Sequence, residues 1–333
     1  MGFHAYASHR AEGKLRPYLY EPEPLGALDV EIRVSHCGIC HSDVHLVDGD
    51  WGVGSYPMVP GHEIVGTVAT LGAGASHLRV GQRVGVGWQR GACLRCEACL
   101  RGEENLCPDE AATCVDHQGG FAERIRVDSR FAFPIPEALA SEHAAPLLCG
   151  GITVYSPLRR YAGPQARVGV VGIGGLGHLA LQFARAMGCE VTALSASADK
   201  EAEARGFGAH RFVPTTDAKA LRAASGTLDL VLSTTFLAQD GKALLRTLRP
   251  NGVLCFLGVP DAPLRLDLGE MLGRQLSVTT SVIGGRAAIR EMLDFAARHA
   301  VAPKVQLKPL QDADAALAEV RKGRARYRIV LAA

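Results

Sequence analysis

Cys93, Cys96, Cys99 and Cys107 stand in a single Cys-x2-Cys-x2-Cys-x7-Cys run. That spacing is unhelpfully close for disulfide bonding. Four thiolates gathered on one irregular loop form the closed tetrahedral set that zinc takes when its role is structural, with no coordination position left for water or substrate. An iron–sulfur site held by the same thiolates and a group of unligated core cysteines are the other readings of this spacing. A second, reactive metal would need ligands elsewhere in the chain.

A second constellation binds phosphate rather than metal. Gly172, Ile173, Gly174, Gly175, Leu176 and Gly177 follow an apolar run at 168–171 and open a stretch with helical apolar spacing. This is the dinucleotide fingerprint in its required context, strand then helix: the glycines allow a tight turn and a close backbone approach, and the helix N-terminus meets the pyrophosphate charge. Where an NAD enzyme would place an acid for the ribose hydroxyl, eighteen residues beyond Gly177, this chain has Ser195. Ser195, Ser197 and Lys200 offer two hydroxyls and a cation to a 2′-phosphate, so the expected coenzyme is NADP(H). Ser197 or Asp199 would also serve as ordinary helix caps.

Both constellations need frames. Between about residues 30 and 87, short β-branched runs at 30–34, 64–70 and 83–86 are punctuated by turn clusters, the texture of a β-rich domain with functional loops. After about residue 151 the texture changes. Extended runs at 168–171, 190–194, 211–213, 228–233 and 253–257 alternate with helical spacing at 176–187, 202–206 and 242–248, which predicts a doubly wound parallel sheet. Residues 276–283 read as a last strand, 287–299 as an amphipathic helix and 327–331 as a closing strand. The expected fold class is therefore α/β, with three parts: a β-rich domain at 1–150 carrying the cysteine loop at 93–107, a Rossmann domain at 151–284, and a return to the first domain at 285–333.

The 333 residues, 47% of them hydrophobic, suffice for two cores. With 36 Lys and Arg against 34 Asp and Glu and no long run of one sign, nucleic acid is not an expected partner. The nearest thing to a basic patch, Arg324, Arg326 and Arg328, alternates with apolar residues and reads as an outward-facing strand edge. Residues 1–10 lack the apolar core of a secretory signal, and no window approaches the ~18 apolar residues of a membrane span. The expected setting is cytoplasmic, where ten cysteines serve as metal ligands or buried thiols. Cys37, Cys114, Cys189 and Cys255 read as buried thiols.

Three further segments carry a resemblance: Cys40-His41-Ser42-Asp43-Val44-His45, Pro60-Gly61-His62-Glu63 and Pro146-Leu147-Leu148-Cys149. With Asp50-Trp51-Gly52, Tyr56-Pro57, the cysteine loop and the glycine loop, they make the whole chain resemble the zinc-dependent medium-chain alcohol dehydrogenases, within them the cinnamyl-alcohol-dehydrogenase-like group. Gly85-Val86-Gly87-Trp88, Gly119 to Glu123 and Ala325 to Arg328 are most similar to its broad-range NADPH-dependent aldehyde reductase branch.

The resemblance implies a GroES-like catalytic domain and a catalytic zinc on Cys40, His62 and Cys149, with Glu63 a neighbouring carboxylate able to approach the metal. It implies two zinc ions per chain, one catalytic and one structural, and a small-molecule aldehyde or alcohol as substrate. Ser42 would pass a proton toward His45, Asp43 would orient His62, and His41 would contact coenzyme phosphate. Thr153 would face the nicotinamide, Val259 and Ile283 would supply backbone contacts to its carboxamide, and Trp51, with Trp88 or nearby apolar residues, would wall the substrate pocket. A homodimer through the strand at 276–283 is also implied. Alternatives are a cinnamyl or aromatic alcohol dehydrogenase, a polyol or secondary-alcohol dehydrogenase, and a non-catalytic zinc- and nucleotide-binding redox sensor.

Overall fold

Val30, Ile32 and Val34 are shielded from solvent in the longest strand, Asp29–Ile39. The computed structural model describes residues 2–237, 239–259 and 262–333, and its contacts divide the chain into two units: Met1–Ile152 with Gly284–Ala333, and Thr153–Ile283.

In the first unit Asp29–Ile39 lies antiparallel to Ile64–Leu71 along one edge, and its other edge is shared by Arg124–Asp128 and Arg328–Ala332. Arg83–Val86 and Phe133–Pro134 extend the sheet on one side and Val305–Pro309 on the other. The core contains Ile32, Val68, Val84, Phe121, Ile125 and Ile329. On the opposite face of the long strand Glu31, 5% exposed, accepts from Arg124 Nη1 at 2.5 Å and from Arg126 Nε and Nη2 at 2.9 and 2.8 Å. Glu31 and Arg126 face each other across the strand pair, so the ladder itself brings the charges together.

The strand edge expected at Arg324–Arg328 is corrected here. The strand starts at Arg328 and is flanked on both sides by other strands. Arg324 and Arg326 precede it and are exposed. Arg328 is 5% exposed and is paired with Glu63, itself fully buried.

The second unit is a six-stranded, all-parallel sheet. Its strands run Arg167–Val171, Glu190–Ser195, Arg211–Pro214, Leu228–Ser233, Leu248–Phe256 and Ser277–Thr280, and numbered within the unit they lie in the order 3-2-1-4-5-6. This doubly wound order reverses direction beside the first strand, and ligands bind at such a reversal, outside the carboxyl ends of the strands. Val168, Val170, Val191, Leu230 and Val231 are fully buried, as covering on both faces requires. The last strand, Ser277–Thr280, is shorter than the run at 276–283 suggests, and Ile283 has left the extended region with a positive φ of 32°. Helices Ala218–Ala223, Leu268–Arg274 and Ala313–Arg321 are additions to the sequence reading. No helix among the described residues is long and apolar enough to cross a membrane.

Burial works to raise the Glu31 carboxyl, but the two guanidiniums hold it below the usual carboxylate range. A depressed carboxylate stabilises above its unfolded pKa, and that contribution is lost as pH falls through the folded value. Glu31→Gln should therefore lower stability by about 1–3 kcal/mol at pH 7. In paired urea titrations the gap between wild type and variant should close below about pH 4.

Candidate metal and nucleotide sites

Asp43 is the fourth residue of the segment Cys40-His41-Ser42-Asp43, in the first turn of helix His41–Asp48. From there its carboxylate reaches back to the backbone N–H of Cys40 at 2.8 Å, a reciprocal cap of the kind that ties a helix start to the residue before it. Its other oxygen accepts from the backbone N–H of Gly61 at 2.9 Å and pairs with His62 Nδ1 at 3.0 Å. Asp43 and His62 are both fully buried. One carboxylate thus joins the two segments that carry Cys40 and His62.

With Nδ1 engaged by Asp43, His62 Nε2 is buried and has no partner. Cys149 approaches from a π-helical turn, Leu147–Gly151, a widening of the helix common at functional sites. Its Sγ lies 3.8 Å from that of Cys40. The ligand atoms of Cys40, His62, Glu63 and Cys149 all lie within 4.8 Å of one another. The bond from Cys149 draws the Cys40 thiol well below its usual range, and the same bond, with burial, pushes Cys149 well above it: two sulfurs this close ionise together only beside a cation. Burial disfavours charge on His62, yet Asp43 and the thiols raise it overall, so a metal would have a proton to displace there. Two thiols and one imidazole nitrogen, the latter buried and unpartnered, fit zinc with a position to spare.

Glu63, fully buried, is paired with Arg328. Burial pushes its carboxyl up to about 7 even against that guanidinium, and its Oε2 has no partner. Arg328 is the site residue that the sequence reading missed. Its place at the head of the apolar run Ile329-Val330-Leu331 is the signal that could have found it, since those three strand neighbours are buried.

Ser42 Oγ lies 3.6 Å from Cys40 Sγ. His45, one turn on, engages Asp50 through Nδ1 at 2.6 Å and stacks on Trp51 at 5.2 Å, while His41 meets the His45 ring edge-on at 5.0 Å. Trp88 touches both ends of the site, edge-on to Trp51 at 6.1 Å and to His62 at 5.0 Å. Below them Leu46, Met58 and Cys114 form a small apolar cluster with Tyr56, Trp88 and Val115. Cys114 is buried, 4.0 Å from His62 Nδ1, whereas Cys37 turns to the Gly38 carbonyl.

The four cysteines of the loop also converge, with their sulfurs within 4.8 Å of one another. Cys107 and Cys99 approach Cys93 at 3.5 and 3.9 Å, and backbone N–H groups point inward, that of Cys96 at Cys93 and that of Cys93 at Cys107. The N–H of Arg95, with that of Cys96, lowers Cys93 to about 6. Sulfurs gathered around N–H donors suit a cation bound by thiolates.

In the second unit the glycine loop follows the strand Arg167–Val171 at the point where the strand order reverses. Gly172 has φ 86°, and a Cβ on Gly177 would lie 1.9 Å from the Gly172 carbonyl oxygen, so the turn admits only glycine at both places. The helix starts at Gly177. Ser195 ends the neighbouring strand, its hydroxyl accepting the N–H of Ser197 at 3.2 Å, and Lys200 Nζ reaches back to the Ile173 carbonyl at 2.7 Å. Ser197 makes no side-chain cap. Val259 and Ile283 follow the carboxyl ends of the adjacent strands Leu248–Phe256 and Ser277–Thr280, Val259 exposed and Ile283 buried. Thr153 is buried in helix Ile152–Tyr161.

Residues 26–137 match the alcohol dehydrogenase GroES-like domain, and residues 175–298 match the zinc-binding dehydrogenase family. The chain belongs to the zinc-binding alcohol dehydrogenases. It is 46% identical over 328 residues to the aldehyde reductase AdhA of Synechocystis sp., covering 98% of each chain. Among solved structures it superposes on a cinnamyl alcohol dehydrogenase of Sorghum bicolor with a TM-score of 0.95 at 38% identity, over 100% of this chain and 98% of the other. A Helicobacter pylori CAD crystallised with NADP(H) gives a TM-score of 0.92 at 32% identity, again over 100% and 98%.

In this dehydrogenase the Asp43 carboxylate touches His62 from outside the set of Cys40, His62, Glu63 and Cys149, on the side of Cys114. Asp43→Asn should therefore weaken metal at Cys40, His62 and Cys149 about 10- to 100-fold while sparing the four-cysteine loop. Metal release to a chromogenic chelator should show one site turned fast and the other unchanged.

Proposed function

We propose that this dehydrogenase is an NADP(H)-dependent aldehyde reductase that interconverts aldehydes and primary alcohols by hydride transfer, with catalytic zinc at Cys40, His62 and Cys149 and structural zinc at Cys93, Cys96, Cys99 and Cys107. The observation that carries this reading is the contrast between two donor sets on one chain. The four-cysteine set is complete. The other stops at two thiols and one imidazole nitrogen, with the Nε2 of His62 and Oε2 of Glu63 buried and unpartnered. An incomplete set is the arrangement that leaves room for substrate. The similarity to a protein named aldehyde reductase supports the same reaction.

Bound zinc would supply Lewis acidity toward a carbonyl oxygen, and dihydronicotinamide the hydride. The chain's own groups do the rest. Asp43 holds the His62 ring in the tautomer that frees Nε2. Arg328 keeps Glu63 as a paired carboxylate beside the thiols. Ser42 lies near the sulfur and His45 one helical turn away, partly exposed and oriented by Asp50, and we read them as the two ends of a proton path between the reacting oxygen and water.

Ser195, Ser197 and Lys200 form the selector for a 2′-phosphate. Lys200 is already tied to the glycine loop, and no carboxylate occupies the position of Ser195. His41, Thr153, Val259 and Ile283 complete the coenzyme contacts of this reading. The strand Ser277–Thr280, bonded to a single neighbouring strand in its sheet, is the edge through which we place a homodimer.

Trp51 and Trp88, in edge-to-face contact, favour a second reading in which the preferred substrates are aromatic, as in the cinnamyl alcohol dehydrogenases it resembles, because offset and edge-on ring contacts reward an aromatic guest.

Two measurements test the reading. Metal analysis should give two zinc ions per chain, and the protein should consume NADPH on addition of a medium-chain or aromatic aldehyde; one zinc without turnover would overturn it. Ser195→Asp should shift the ratio of kcat/KM for NADPH to that for NADH by at least about tenfold toward NADH, through repulsion of the 2′-phosphate. An unchanged ratio would mean that discrimination lies elsewhere.

A further inference from the structure

Glu104 lies in the cysteine loop three residues before Cys107 and is 3% exposed, an expensive place for a carboxylate without a task. Its oxygens are spent on one residue far along the chain: Oε1 accepts from Arg286 Nε at 2.8 Å and Oε2 from the Arg286 backbone N–H at 3.0 Å. Arg286 opens helix Arg286–His299, whose N-cap, Gly285, supplies no side chain. Glu104 therefore caps this helix from outside, placing negative charge on its free N–H groups.

The seat is tight. A Cβ on Gly285 would lie 2.0 Å from the Gly102 carbonyl oxygen and 2.5 Å from Glu104 Oε2. The backbone of Glu104 is held in turn by the loop, since its carbonyl accepts from the Cys107 N–H at 3.1 Å and from Gln89 Nε2 at 2.8 Å.

The chain leaves the nucleotide-binding unit at Ile283. Ile283 holds φ 32°, a strained conformation for a β-branched residue that persists only where its surroundings impose it. Three residues later the backbone is fixed by Glu104.

We propose that Glu104 is a positioning residue for coenzyme binding: through Arg286 it anchors the return segment 283–286 to the four-cysteine loop, so that occupancy of that loop by metal sets the affinity for the coenzyme. This rests on the reading of Thr153–Ile283 as the NADP(H)-binding unit and gives the structural metal a role in the reaction that its closed ligand set would not provide.

The test measures NADPH binding by fluorescence titration on the zinc-loaded enzyme. Glu104→Gln keeps the shape and removes the charge; it should raise Kd for NADPH about five- to tenfold while kcat at saturation stays within about twofold and zinc content stays the same. Glu104→Asp should recover part of the affinity. Arg286→Lys, which loses the planar fork, should give the same weakening, and the double variant no more than either single one. Hydrogen exchange at residues 283–290 should quicken in step with Kd. Selective loss of metal from the cysteine loop should weaken wild type and leave Glu104→Gln unmoved. A folded Glu104→Gln or Arg286→Lys protein with a lowered melting temperature but wild-type Kd and exchange would overturn the proposal and leave the pair a merely structural one. A wild-type protein that binds neither NADPH nor NADH would instead remove the functional reading, and this inference with it.

Discussion

The converging donor set depends on one carboxylate accepting hydrogen bonds from three places. Asp43, itself fully buried, takes the N–H of Cys40, the N–H of Gly61 and the Nδ1 side of His62. Each bond decides something different. The first ties the helix start to a thiol, the second fixes the approach of the Pro60–Glu63 turn, and the third chooses which imidazole nitrogen faces the sulfurs. Buried carboxylates are costly unless fully satisfied, and here satisfaction and placement are one arrangement. A side chain outside the set of converging sulfur and nitrogen donors dictates the geometry of those within it.

Charge balance completes the arrangement. Cys40, Cys149 and Glu63 bring acidic groups together in a water-free volume, and among the described residues Arg328 and His62 are the cations set against them. The central strand Arg328–Ala332 supplies Arg328 from the far end of the chain, so the second unit's whole sequence intervenes between Glu63 and its partner. A divalent ion fits this balance: it lets both thiols ionise while Arg328 keeps the carboxylate paired. The four-cysteine loop answers the same problem of crowded sulfurs by different means, with backbone N–H groups and a complete donor set.

Much of this was legible from residue spacing because the relevant contacts are local. The cysteine run and the glycine turn each span fewer than twenty residues, and each is shaped by its own backbone: N–H groups aimed at the sulfurs, a positive φ in the turn. The parallel sheet was equally readable, since strands buried on both faces leave unbroken apolar runs such as Val168 to Val171. The helix His41–Asp48 and the role of Arg328 were harder. The helix is short and only weakly amphipathic, and Arg328 was assigned an outward face because a period of two in sequence does not say whether a strand lies at an edge or inside the sheet.

What the sequence by itself determined is the inventory: which donors exist, which loops must turn tightly and which segments are strands, all consequences of side-chain chemistry and backbone sterics acting over a few residues. Tertiary structure alone decided the pairings. That Cys149 meets Cys40 across more than a hundred residues, that Glu63 meets Arg328 and that Glu104 meets Arg286 follows from how helices, turns and strands pack together, which is set by the collective burial of the core and which no single segment encodes.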